Sequence, residues 1–275
     1  MSEPYGGHEA KLAYVSESNY GETPTNPAMI QITAENVEPG IDPGLIEVRG
    51  IGSRDLAFIR KGLRIVDLKF AYYLQNITEL NLAISLASIS AEAVYEKTGG
   101  IISLLHKGCI MDKATVECAV EDIAKVNVEC MGQNLTVGTA KVGTSYTPWT
   151  DVPVAFSDSY VKKQTTVLER VTAWKFTIEN HLKRVPVIRN TNGQLLKYLM
   201  ERHRTITGEL EFEFEVKEEY DDIVNDTAFT LEIGLGGTNK ATFTDCKWKK
   251  VGSPTRIEDL IALKAPFVAK TMTIS

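Results

Sequence analysis

Displaced by 137 positions, the stretch from Gly99 to Val137 lies on Gly236 to Ile274 without a gap. Gly99-Gly100 meets Gly236-Gly237, Cys109 meets Cys246, Lys113 meets Lys250, Glu121-Asp122 meets Glu258-Asp259, and Thr136 meets Thr273. That is seven identities in 39 positions, where average composition gives roughly two or three. Apolar character tracks too: Val126 with Leu263, Met131 with Val268, Leu135 with Met272. Leu68-x-Phe70-x-Tyr72-x-Leu74 parallels Leu210-x-Phe212-x-Phe214-x-Val216 at a displacement of 142, and Ile32-Thr33-Ala34-Glu35-Asn36 parallels Phe176-Thr177-Ile178-Glu179-Asn180 at 144. The blocks keep one order in both halves, which predicts a tandem duplication. The expected division is an N-terminal arm over 1–29, a first domain over 30–137, a connection over 138–166 and a second domain over 167–275.

Each half reads as mainly β. Trp174 to Glu179 alternates apolar and polar residues, the mark of a half-buried strand. Ile206 to Val216 alternates further: Leu210, Phe212, Phe214 and Val216 point one way, and Glu209, Glu211, Glu213 and Glu215 the other. A short helix is expected over Glu218–Asn225, then strands over Ala228–Leu235, Thr242–Trp248 and Ala262–Ile274. The first half repeats the order: strand Arg64–Leu74, helix Ile77–Ala87, strands Ala91–Glu96 and Ile102–Leu105, and a last strand near Ala124–Met131. The predicted fold is a β-sandwich or open barrel with one short helix at the flank of each half. The N-terminal stretch to about Met29 has little periodicity and reads as an extended arm.

Thirty basic against 36 acidic residues give a net charge of -6, which disfavours general nucleic-acid binding, a function that needs basic residues to displace counterions from phosphates. No apolar run is long enough to span a membrane, and the N-terminus lacks a signal peptide, so a soluble protein made in a cytoplasm is expected. Cys109, Cys118, Cys130 and Cys246 are scattered and read as reduced thiols. With four equally scattered histidines they offer no metal-site spacing. Gly234-Leu235-Gly236-Gly237 lacks the Lys-Ser/Thr of a phosphate loop and reads as a hairpin turn. Glu218-Glu219 and Asp221-Asp222 are expected on a solvated helix face, Glu121-Asp122 and Glu258-Asp259 at a shared turn or subunit contact, and Trp149, Trp174 and Trp248 as core or interface anchors. No catalytic constellation, metal site or cofactor motif emerges.

The glutamate ladder is the most conspicuous remaining feature, because like charges repeated along one face of a strand repel. It is either a solvated sheet face or a surface built to be acidic toward an enclosed aqueous space, where it would repel a passing polyanion.

The chain resembles the tail tube proteins of tailed bacteriophages and archaeal tailed viruses. The residues that carry this are Trp174-Lys175-Phe176-Thr177-Ile178-Glu179-Asn180, the run Arg204-Thr205-Ile206-Thr207-Gly208-Glu209-Leu210-Glu211-Phe212-Glu213-Phe214, the helix with Tyr220, and the opening Tyr14-Val15-Ser16-Glu17-Ser18-Asn19-Tyr20-Gly21-Glu22-Thr23-Pro24. The resemblance implies a non-enzymatic virion protein without cofactor. Six β-sandwich domains would close a ring around a channel, and rings would stack into a tube for genome ejection. With a duplicated chain the ring would be a homotrimer with pseudo-sixfold symmetry; without duplication it would be a homohexamer. Asp67, Lys69, Glu209, Glu211, Glu213 and Glu215 would line the lumen, while Leu68, Phe70, Tyr72, Leu210, Phe212 and Phe214 would face the core.

Expected partners are further copies of the chain, tape-measure, tail terminator and baseplate proteins, and a sheath if the tail contracts. DNA would pass without specific binding, no membrane would be involved, and assembly would take place in the host cytoplasm. The N-terminal arm, Asn180–Arg202 and Gly138–Thr166 would reach a neighbouring ring. Alternatives that share the domain are a distal-tail or baseplate hub ring and the inner tube of a contractile injection system. From another class, a monomeric β-sandwich binding module would need an exposed aromatic platform, for which Tyr72-Tyr73 and Tyr146-x-x-Trp149 are the candidates.

Overall fold

A computed structural model describes residues 4–252 and 262–275. Eight antiparallel strands form its largest sheet, in the spatial order Ala34–Asp42, Ile65–Tyr73, Lys125–Gly132, the later part of Gly100–Ala119, Val171–Glu179, Thr205–Glu213, Ala262–Ala269 and the end of Lys240–Trp248. Two smaller sheets complete the layers. One contains Ala28–Ile32, Ala10–Ser16, Ile89–Lys97, the early part of Gly100–Ala119 and Asn134–Gly138. The other contains Val161–Lys163, Phe229–Gly234, Lys240–Trp248 and Thr271–Ile274. The apolar face of the large sheet packs on both. Leu68, Phe70 and Tyr72 join Leu12, Tyr14 and Ala91, and Phe176, Leu210 and Phe212 join Leu231 and Phe243, all in one continuous core. Edge-to-face contacts of Phe243 with Phe176 (5.2 Å) and Phe267 (5.5 Å) tie the layers together.

The pairing scheme after Ala34 recurs after Val171. Met111↔Cys130 becomes Trp248↔Phe267, and Ile89↔Cys109 becomes Phe229↔Cys246. Bulges fall at Ala34/Asn36 and again at Val171/Ala173. Both long strands pass from a small sheet into the large one, and the backbone turns at Gly108 (φ 63°) in one and Asp245 (φ 50°) in the other, 137 residues apart. At Gly108 a Cβ would come within 2.9 Å of Gln133 and 3.1 Å of Tyr20, which demands glycine.

The registers correct two of the sequence alignments. Val66↔Gly132 and Ile206↔Ala269 set Ile65–Tyr73 against Thr205–Glu213 at a displacement of 140, not 142. A slip of two residues leaves every side chain on its own face, so alternation alone cannot detect it. Val37↔Phe70 and Trp174↔Leu210 set Ala34–Asp42 against Val171–Glu179 at 137, which removes the five-residue match at 144. In the corrected register the paired Leu68 and Cys130 correspond to Gly208 and Phe267, and the Phe267 ring occupies the space beside Gly208. The large Phe267 side chain thus takes the room that glycine leaves at 208.

Other expectations shift with the fold. Ala10–Ser16 is a paired strand with Leu12, Ala13 and Tyr14 buried, not an extended arm. Within 138–166, Ser145–Pro148 pairs with Ala28–Ile32 and Val161–Lys163 with Phe229–Gly234. The four cysteines are buried free thiols. Gly236 (φ 87°) and Gly237 (φ 58°) form the expected turn, Glu121 (φ 66°) makes another, and Glu258-Asp259 lie outside the described residues. Trp174 and Trp248 are buried, and Trp149 packs edge-on against Tyr72 at 5.4 Å.

Of the acids of the second helix, Glu218–Val224, Glu218 and Asp221 are half exposed, but Glu219 and Asp222 leave the expected solvated face. Glu219 is buried against Arg170 (2.5 Å), and the buried Lys163 holds Asp222 (2.5 Å) and Glu218 (2.7 Å). These cations come from Val161–Lys163 and the loop before Val171, far away in sequence. The first helix, Thr78–Ser85, buries Glu79 at the corresponding place, but there Tyr14 donates to it (2.6 Å) and the Tyr72 hydroxyl has no partner.

Two outcomes follow from these acids. Glu219→Ala strands a buried guanidinium and should cost ~3–5 kcal/mol in urea denaturation, most of it recovered by Arg170→Met with Glu219→Leu. Burial lifts the Glu79 carboxyl from 4.5 to about 7, with the Tyr14 hydrogen bond opposing. Its protonated form therefore contributes stability below pH 4.5, and that contribution is lost as pH rises through about 7. Scanning calorimetry across this window should show a slope that Glu79→Gln flattens.

Candidate functional site: an open sheet with a charged face

The large sheet carries the expected division of faces. Leu68, Phe70, Tyr72, Leu210 and Phe212 are buried in the core. Phe214 is not: the strand ends at Glu213, the chain leaves the sheet there, and Phe214 is 38% exposed. Asp67 and Lys69 on Ile65–Tyr73, and Glu209, Glu211 and Glu213 on Thr205–Glu213, alternate with the core residues and share the opposite face. Glu215 lies beyond the strand end.

This face is laced with cross-strand ion pairs. Lys69 meets Glu129 (3.3 Å), Lys113 meets Glu179 (3.0 Å), Lys175 meets Glu117 (2.7 Å), and Glu211 pairs with Lys264. The Glu211 carboxylate holds the Lys264 ammonium above its usual value. The ladder is therefore partly neutralised by lysines on neighbouring strands. Reading one strand at a time missed them, although Lys113, Lys175 and Lys264 each occupy an outward position of an alternating run.

Asn180–Arg202 does not project from the chain. Its hairpin, Lys183–Val185 with Tyr198–Met200, folds onto the first half, where Leu182, Leu196 and Leu199 bury against Ile110. Arg184 pairs with Asp67 (2.5 Å), and Leu182 N donates to the Asp112 carboxylate (2.7 Å). Both acids belong to the first half, a partnership invisible in the sequence pattern.

The Glu17–Pro24 run closes on itself. The Glu17 carboxylate accepts from Gly21 N (2.8 Å), Ser90 Oγ (2.6 Å) and Gly108 N (2.8 Å), anchoring this loop where the long strand changes sheet. Neither suggested aromatic platform is present at the named residues: Tyr72 is buried, and Tyr146 donates to Glu92 (2.5 Å). Among the described residues, no group of three or more His, Cys, Asp or Glu side chains could hold a metal ion, and no helix is long and apolar enough to cross a membrane.

Within the large sheet, Ala34–Asp42 pairs only with Ile65–Tyr73, and the end of Lys240–Trp248 only with Ala262–Ala269, among the described residues. Both outer edges are open among the described residues. Midway, Lys113–Ala119 of the first half pairs with Ala173–Glu179 of the second in seven consecutive positions. A family profile described as phage tail tube protein matches residues 7–269.

The chain belongs to the phage tail tube family. No curated protein matches it. As a tail tube protein it is a structural component of the virion tail, a role that entails self-assembly and association with other tail proteins. For such a protein the charged face need not stabilise the subunit, because exposed ion pairs contribute little. Replacing Glu209, Glu211 and Glu213 together by Gln should leave stability within about 1 kcal/mol of the parent in urea titration.

Proposed function

We propose that the chain is the repeating subunit of the tail tube, with two copies of the tube domain per chain. Three chains then supply six domains to a ring, and rings stack into a hollow tube through which the genome passes. The open eight-stranded sheet carries this reading. The seven-residue pairing between Lys113–Ala119 and Ala173–Glu179 is the kind of contact that would join Ala34–Asp42 to the far edge of the next chain. An open edge in a monomer is an aggregation liability, and closure into a ring removes it.

The face bearing Asp67, Lys69, Glu209, Glu211 and Glu213, with Glu215 at its margin, would then line the lumen. Its acids keep DNA from sticking, and its lysines moderate their mutual repulsion. The role is structural, without catalysis or cofactor. Tape-measure protein within the lumen, terminator and baseplate proteins at the ends, and a sheath in a contractile tail are the partner classes.

Negative-stain electron microscopy of concentrated protein tests the assembly. Stacked rings whose end views average to threefold symmetry with six near-equal lobes are expected. Strict sixfold averages would exclude the trimer. Rings that never stack would point to a distal-tail hub.

A further inference from the structure

The two hairpins that interrupt the large sheet are counterparts. Leu45–Arg49 pairs with Leu56–Lys61 as Lys183–Val185 pairs with Tyr198–Met200. Ile46↔Arg60, Glu47↔Ile59 and Val48↔Phe58 become Lys183↔Met200, Arg184↔Leu199 and Val185↔Tyr198, displaced by 137 on one arm and 140 on the other. The residue entering each hairpin has positive φ, 55° at Gly44 and 49° at His181. Leu45 therefore stands where Leu182 stands, and Ile59 where Leu199 stands. Their burial differs sharply. Leu182 and Leu199 are each 8% exposed, whereas Leu45 and Ile59 are 57% and 58% exposed, with Ile46 and Phe58 also on the surface. Several large apolar side chains on one projecting hairpin mark an interaction surface.

The docked hairpin shows what such a surface requires. Around it, Asn180 Nδ2 donates to the carbonyls of Ala83 and Met111, both at 2.9 Å, and Arg204 donates to that of Ile84 (2.8 Å). It thus sits at the end of the first helix. At the displacement of 140 that sets Glu79 on Glu219, the counterparts of Ala83 and Ile84 are Ile223 and Val224, which are 41% and 82% exposed. Part of the charge pattern corresponds as well. Arg184 lines a cleft with Asp67 and Asp112. By the 137 displacement Glu47 replaces Arg184 and Lys249 replaces Asp112, which reverses both signs, while Asp67, the partner of Arg184, corresponds at 140 to the uncharged Thr207.

We propose that the Leu45–Lys61 hairpin docks on the second half of a neighbouring copy, at the end of Glu218–Val224. It would repeat between chains the contact that Lys183–Met200 makes within one. The inference rests on the ring reading and specifies the lateral contact that closes the ring. Hairpin and receiver lie beside opposite edges of the sheet, so the contact is head-to-tail and needs a ring to close it.

Two full-length variants test it by sedimentation velocity and electron microscopy, with circular dichroism to verify folding. Leu45→Asp/Ile59→Asp disables the hairpin, and Ile223→Asp/Val224→Asp disables the receiver; all four side chains are exposed. The parent should form trimeric rings and each variant should be monomeric. An equimolar mixture should give a heterodimer that grows no further, because one chain retains a hairpin and the other a receiver. Rings from either variant, or no heterodimer on mixing, would overturn the hairpin contact while leaving the ring reading in place. A parent that stays monomeric at every concentration would overturn the ring reading itself.

Discussion

Strand pairing between Lys113–Ala119 and Ala173–Glu179 is the contact on which the rest of the structure depends. It fuses two four-stranded sheets into one of eight and aligns their polar faces into a single charged surface. It also leaves two outer edges without partners among the described residues. Backbone hydrogen bonds are indifferent to side-chain identity, so a pairing that works within a chain can recur between chains without dedicated residues.

The remaining elements hold this sheet in place. Each long strand crosses from a small sheet to the large one at a residue with positive φ, which lets one strand knit both layers of its sandwich. Glu17 clamps the first crossing by accepting from Gly21, Ser90 and Gly108. Buried acids on the two helices are satisfied differently, by tyrosine in one half and by arginine in the other. The two helices thus each bury a carboxylate in different surroundings. The pairs Leu68↔Cys130 and Gly208↔Phe267 likewise fill equivalent places in the sheet with different side chains. Packing constrains the sum of neighbouring volumes more tightly than any single residue.

The two hairpins differ in role. One packs onto the subunit, burying Leu182, Leu196 and Leu199. The other presents Leu45 and Ile59 to solvent. In the proposed ring, a subunit that satisfies one such contact internally and exposes the matching pieces of another would have the asymmetry that directional assembly needs.

Alternation in the sequence sufficed to place Val171–Glu179, Thr205–Glu213 and Phe229–Gly234, because period-two patterning with one buried face leaves little freedom. That the face with Leu68, Phe70, Tyr72, Leu210 and Phe212 is the core was implied by the family resemblance; alternation put Leu210 and Phe212 on the face opposite the glutamates. It could not locate the strand end that exposes Phe214, nor join 100–119 into one strand across Gly108, since glycine reads as a break unless the crossing is known. Nor could it distinguish a displacement of 142 from 140, which preserves every face. The partners of the charged residues were decided by tertiary structure alone. Arg170 with Glu219, Lys163 with Asp222, Arg184 with Asp67 and Lys264 with Glu211 lie 49 to 117 residues apart. A local pattern fixes which face a side chain takes; only the order of strands in space brings its counter-charge alongside.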